Sequence, residues 1–255
     1  MILTDTHSHL YSSQFDEDRE QAFQNAFDKG IERIFLPNID HSSIEAMLEL
    51  ETKYPNKCFP MMGLHPCYVK ESYKEELQNV ATWLEKRSFC AIGEIGIDLY
   101  WDKSTLAIQQ EAFRFQIQLA KKHKLPIVIH CREAFDEIFE ILEDENDDQL
   151  FGIFHCFTGN LDQAKQAIRL GFKLGIGGVV TFKKAGLDKV IAQIDPKDIV
   201  LETDAPYLAP SPFRGKRNES SYLIYIAEKV ANLHEISLEE LATITTENSK
   251  QIFNC

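Results

Sequence analysis

Eight short apolar or β-branched runs recur along the chain, each followed by a longer stretch of helical period, and this alternation limits what the chain can fold into. The runs occupy 2–7, 31–37, 58–65, 89–97, 127–131, 151–157, 173–182 and 199–203. Helical segments lie between them, at 16–29, 43–53, 73–86, 105–123, 134–143 and 161–170, and one or two closing helices are expected over 237–253. Strands that alternate with helices are carried back to the same end each time, which makes a parallel sheet. Eight such units in 255 residues match an α/β architecture, the (β/α)8 TIM barrel, whose usual length is about 250. An open doubly wound sheet is the alternative, weakened because no G-x-G-x-x-G follows the first run.

The punctuation agrees with this division. Gly30 and Gly171 stand where a helix ends in a left-handed turn, Asn160 is placed to cap the segment from Leu161, and Pro126 opens the fifth run. The stretch 205–218 has Pro, Arg and Ser but no period and reads as a loop. No linker interrupts the pattern, so residues 1–255 are expected to form one domain.

With 44% apolar residues the chain can bury a large core, and its net charge of -13 argues against coating nucleic acid electrostatically. That charge does not exclude a nuclease, since bound divalent cations reverse the local sign of a carboxylate-rich site. The six cysteines, Cys58, Cys67, Cys90, Cys131, Cys156 and Cys255, form no C-x-x-C pair. No basic leader precedes an apolar stretch, and no run approaches the roughly 18 apolar residues of a membrane span. The expectation is a cytoplasmic protein with reduced thiols, no membrane association and no obligate protein partner.

The chemistry lies at the ends of the runs. The first ends in Asp5-Thr6-His7-Ser8-His9, and side chains at i and i+2 on a strand share a face. The fourth carries Glu94 inside Ala91-Ile92-Gly93-Glu94-Ile95-Gly96-Ile97-Asp98, where an unpaired carboxylate is costly to bury. The fifth and sixth end in His130 and His155, and the eighth in Asp204. Each alone has a plain structural reading: H-x-H is common, and one histidine at a strand end is more often a satisfied core residue. Together they place His, Glu or Asp at the C-terminal ends of strands one, four, five, six and eight, the catalytic face of a TIM barrel. Six ligands exceed what one ion usually takes from protein, so His7, His9, Glu94, His130, His155 and Asp204 read as ligands of two divalent cations (Mg, Mn or Zn) about 3.5–4 Å apart, with Glu94 between them. Cys131 and Cys156 each follow a ligand histidine and should face the helices.

Further groups fall in the same loops. His65, in Gly63-Leu64-His65-Pro66, is either near the site or a structural turn residue, and Asp98 either orients ligands or caps a turn. Arg132, Lys183, Arg214, Lys216 and Arg217 suggest an anionic substrate such as a phosphodiester. Tyr100, Trp101, Tyr207 and Phe213 either stack on bases or pack under the loops.

Taken together, Asp5–Leu10, Gly63–Pro66, Gly93–Asp98, Ile129–Arg132, His155–Gly159, Leu201–Leu208 and Arg214–Asn218 resemble the TatD family of metal-dependent deoxyribonucleases, in order and spacing, over nearly the whole chain. The resemblance implies an amidohydrolase-type TIM barrel with a two-metal site. His7, His9 and Asp204 match ligands of the first metal, Glu94 the bridging ligand, and His130 and His155 ligands of the second. It also implies phosphodiester hydrolysis, often as a 3′–5′ exonuclease, with DNA as substrate, single-stranded or at ends. The chain departs from the family loop R-G-x-x-N-x-P by placing Ser220 where the proline is common, which bears on loop rigidity.

The mechanism these residues suggest is two-metal hydrolysis, with Asp204 and Glu94 as the catalytic carboxylates and Asp204 as general base. Arg132, His65 and Arg214 are the candidate substrate-binding residues. Two rivals are a hydrolase of amides, esters or lactones on the same scaffold, and a non-catalytic metal-binding protein. Amidohydrolases of the first kind often carry a modified Lys where Glu94 stands, which favours the nuclease.

Overall fold

In a computed structural model that describes residues 1–254, eight parallel strands follow one another around a barrel. They are β1 (Leu3–Asp5), β2 (Ile31–Leu36), β3 (Cys58–Pro60), β4 (Ile92–Asp98), β5 (Ile127–Arg132), β6 (Gly152–Phe154), β7 (Phe172–Ile176) and β8 (Ile199–Leu201). β1 to β3 form one sheet and β4 to β8 another. Single parallel bridges join the two, Met62 to Ile92 on one side and Ser8 to Ala205 on the other. The second seam is reinforced by Thr6 N–H donating to Leu201 O and Asp204 N–H to His7 O, so the residues that close the ring are those beside the expected ligands.

Nine α-helices are present among the described residues. They are α1 (Arg19–Asp28), α2 (Ile44–Lys53), α3 (Tyr73–Lys86), α4 (Leu106–His123), α5 (Phe135–Glu145), α6 (Leu161–Arg169), α7 (Leu187–Ile191), α8 (Leu223–His234) and α9 (Leu238–Phe253). Gly30 and Gly171 take positive φ, as their helix-end positions require, and Asn160 caps α6 reciprocally with Gln163. The C-terminal segment is one continuous helix, and α7, only five residues long, is too short to leave a period in the sequence. No helix among the described residues is long and apolar enough to cross a membrane.

Strand alternation divides the core in two. Phe35, Met61, Ala91, Val128, Ile153 and Val200 point inward and fill the barrel, and Phe253 from α9 closes its lower end, stacked 3.9 Å from Phe35. Their neighbours Leu36, Ile92, Ile127, Ile129, Phe154 and Leu201 point outward into the layer beneath the helices. Val128 and His130, Ile153 and His155, and Val200 and Glu202 are each two residues apart. Each strand thus sends its lower inward residue to an apolar floor and its upper one to a polar layer above it.

Candidate metal centre

Glu94 is the centre of that polar layer. Its Oε1 lies 2.7 Å from His130 Nδ1, 3.2 Å from His155 Nε2 and 3.3 Å from His65 Nε2. Its Oε2 lies 3.2 Å from His7 Nε2 and 3.7 Å from His9 Nε2. Asp204 Oδ1 approaches the same two histidines, at 3.8 Å from His7 and 3.5 Å from His9. β4 comes this close to β5 because of Gly96, where φ is +140° and an added Cβ would sit 2.1 Å from His130 O. Most ligand-type residues stand just past the strands: β1 ends at Asp5, β6 at Phe154 and β8 at Leu201, so the alternation carries beyond the regular pairing. Asp204 itself takes a left-handed backbone, with φ 57°.

A set of outer partners fixes which nitrogen each imidazole turns inward. Tyr11 Oη donates to Pro37 O at 2.5 Å, so it accepts from His9 Nδ1 at 2.8 Å and leaves the Nε2 lone pair of His9 facing the carboxylates. His155 Nδ1 meets Glu202 Oε1 at 3.0 Å, and His130 Nε2 meets Asp98 Oδ2 at 2.9 Å. His155 therefore presents Nε2 and His130 presents Nδ1. His65 is the opposite case: its Nδ1 accepts from Cys67 N–H at 3.0 Å, so the neutral ring carries its proton on Nε2 and is a donor. His7 is stacked on His155 at 3.6 Å between centroids, and its Nδ1 has no hydrogen-bond partner among the described residues.

The electrostatics follow from this crowding. Burial disfavours the Glu94 carboxylate, but the charges of His65, His155 and His7 and the hydrogen bond from His130 outweigh it and hold the group well below the usual range. Asp204 is likewise raised by burial but brought lower overall by its hydrogen bond from His9 and the neighbouring imidazoles. Burial opposes the charged form of His155 and of His130, yet adjacent carboxylates and hydrogen bonds raise both, Glu202 and Glu94 for His155, Asp98 and Glu94 for His130. Protons here occupy places where lone pairs otherwise point at carboxylate oxygens, a donor set suited to cations. Two triads bring ligand atoms within 4.8 Å of one another and are able to hold a metal ion, His7, His9 and Glu94, and His7, His155 and Asp204; His65, Glu94 and His130 meet the same spacing, but there His65 turns a proton-bearing Nε2 inward.

The loop residues separate into three kinds. Arg132 is exposed and lies 3.7 Å above the Tyr100 ring, and Arg214 is exposed and lies 4.0 Å above Phe182. Arg217, read from the sequence as a substrate cation, is instead tied to Asp18 at 2.6 Å, to Glu219 and to the Gln14 carbonyl, and serves to hold the loop. Phe213 packs between Tyr222 and Tyr225 and is not free to stack on a ligand. Ser220 is buried and its hydroxyl hydrogen-bonds with that of Ser8 at 3.2 Å, which anchors the loop where the family has its proline.

Asp98 does both things the sequence allowed: it accepts from His130 and also from Tyr100 N–H at 3.0 Å. Cys131 packs toward the helices as alternation requires. Cys156 does not follow the alternation. Its φ of 43° breaks the strand pattern, and its thiol is pushed up by burial and then by the charges of Asp204, Glu202 and Glu94. Cys58, Cys67, Cys131 and Cys156 are free thiols, and Cys255 lies outside the described residues. Sequence reasoning missed Glu202 and Tyr11, although Glu202 stands two residues after the inward-facing Val200.

A (β/α)8 barrel whose upper mouth gathers five histidines around a buried glutamate defines a metal-dependent hydrolase. The chain belongs to the TatD family: residues 4–254 match the model of the TatD related DNases. It is 42% identical to an uncharacterized metal-dependent hydrolase, YabD, of Bacillus subtilis, over 99% of both chains. It is 33% identical to the 3'-5' ssDNA/RNA exonuclease TatD of Yersinia pseudotuberculosis, over 96% of both. The crystal structure of YjjV, a TatD homologue from Escherichia coli, superposes with a TM-score of 0.94 at 29% identity, covering 99% of this chain and 98% of that one.

Proposed function

We propose that the chain, acting as one domain over 1–255, hydrolyses phosphodiester bonds of nucleic acid, DNA above all, at single-stranded ends, with two divalent cations. The observation that carries this reading is the division of Glu94: one oxygen faces His130 and His155, the other faces His7 and His9, as a bridging carboxylate between two ions requires. The activity named for the Yersinia relative supports the choice of substrate.

His7, His9 and Asp204 would hold one cation, His130 and His155 the other, with Glu94 shared between them. Bound there, divalent cations supply Lewis acidity, lowering the pKa of water and neutralising phosphate oxygens. Asp204 approaches the histidines through Oδ1, which leaves Oδ2 to take a proton from the attacking water. Its depressed pKa keeps it ionised, and so able to accept, at neutral pH. His65 offers a proton-bearing Nε2 to a substrate oxygen. Arg132 and Arg214 bind phosphate at the rim.

The test is hydrolysis of labelled single- and double-stranded DNA and of RNA with Mg, Mn, Zn or chelator, alongside amide, ester and lactone substrates. Metal-stimulated shortening of single strands is expected. Turnover of the amide or lactone panel with intact oligonucleotides would replace this reading, and no metal-stimulated hydrolysis of any kind would favour a non-catalytic metal-binding protein.

A further inference from the structure

Among the described residues, eight large apolar side chains are left in water, and four of them are aromatics on the loops that follow β3, β4 and β8: Tyr68, Tyr100, Trp101 and Tyr207. Trp101 is the most open, 73% exposed. Aromatic surface gathered at one face of a chain that buries most of its other rings marks a contact surface.

Charge selects what it contacts. Tyr100 and Trp101 meet edge to face at 4.8 Å, and the Arg132 guanidinium lies over both, 3.7 Å and 5.6 Å from their centroids. Arg19, Arg87, Arg114, Arg169 and Arg217 each pair with a carboxylate. No such pair is formed by Arg132 or Arg214 among the described residues, in a chain of net charge -13. The unneutralised Arg132 guanidinium beside two exposed rings suits a ligand that is both anionic and flat.

Beneath Trp101 opens a cavity of about 340 Å³, lined by Pro66, Val69, Lys70, Asp98 and Thr105 among others. Asp98 is the carboxylate that receives His130 Nε2, so one wall of the cavity is the back of the metal centre. Apolar walls with a few polar groups suit a heterocycle with hydrogen-bonding edges.

We infer that Trp101, with Tyr100 and Arg132, stacks an unpaired nucleobase beside the phosphate being cut, and that the cavity beneath Trp101 receives the edge of that base. This rests on the nuclease reading above. Its consequence is selection of single strands, because a paired base must first leave its helix to reach such a platform.

The experiment uses metal-loaded protein and a hydrolysis-resistant phosphorothioate single strand. Trp83→Phe leaves Trp101 as the sole tryptophan of the two in the chain. Saturable quenching of its fluorescence by the strand is expected. By anisotropy, Trp101→Ala should raise Kd about 5- to 100-fold and Trp101→Phe should restore most of the loss. A strand with an abasic end should bind the wild-type protein more weakly, and Trp101→Ala should add nothing to that deficit. Equal loss on the abasic strand, or binding without quenching, overturns the platform. Hydrolysis of the unmodified strand is measured in parallel. Quenching without hydrolysis keeps the platform and removes the nuclease reading, hydrolysis without quenching removes the platform alone, and neither removes both.

Discussion

Glu202 stands directly behind His155, its Oε1 taking one hydrogen bond from His155 Nδ1 at 3.0 Å and a second from the Cys156 amide at 2.5 Å. The contact is forced by packing: Gly175 leaves the room, since a Cβ there would lie 2.3 Å from Glu202 Oε2. The pair locks His155 with Nε2 inward and makes that nitrogen more electron-rich.

Glu202→Gln keeps an acceptor for Nδ1–H but loses the charge. Metal affinity at the His130–His155 side is expected to fall about 10- to 100-fold, with the fold retained. A competition titration with a metal indicator reads this directly, and wild-type affinity in the variant would mean that Glu202 is only a packing residue.

Asp204 separates ligation from proton transfer. Asn keeps an oxygen of similar shape but cannot take the proton. Asp204→Asn should retain at least one bound ion and lose about 10²–10⁴ in kcat. Metal content and kcat are measured on the same preparation; near-normal kcat with both ions bound removes Asp204 as the base.

Arg132 has no carboxylate partner among the described residues and stands at the mouth, so Arg132→Ala should raise KM for oligonucleotides with little change in kcat. The wild-type KM should rise with salt along a shallow slope, because few cations are available to meet phosphates. A KM indifferent to salt points to a neutral substrate.

Asp5 gives a pH signature. Burial lifts its carboxyl to about 7, against hydrogen bonds from Ser220, Thr203 and the His7 amide. The folded chain therefore holds this proton more tightly than the unfolded chain. The stabilisation is fully present below the unfolded value of 3.8 and is lost as pH rises to about 7. In chelator, the wild-type Tm should fall over that window relative to Asp5→Asn, at a rate corresponding to at most about 1.4 kcal/mol per pH unit. Parallel pH profiles would show that Asp5 is ionised throughout.

How much of this was legible in the sequence depends on whether the signal was local. The pairs Val128–His130 and Ile153–His155 are plain two-residue alternation, so barrel and mouth were both readable once eight runs were seen. Glu202 obeyed the same rule relative to Val200 and was readable too. Cys156 was not, because its left-handed backbone departs from the strand pattern on which the expectation rested. Nor was the fate of Arg217, whose partner Asp18 is 199 positions away, nor the hold of Tyr11 on His9 through Pro37 O. The links from Arg217 to Asp18 and from Tyr11 to Pro37 O join distant parts of the chain and leave no periodic trace.

The bridging role of Glu94 is tested most directly by counting ions. Wild-type protein and Glu94→Gln are loaded with Mn or Zn, dialysed against a series of free-metal concentrations, and analysed for bound metal per chain. Two ions are expected in the wild type, and in the variant both should weaken together, because one neutral amide loses the charge that offsets two cations. A variant that loses one ion and keeps the other at full affinity would contradict the shared carboxylate.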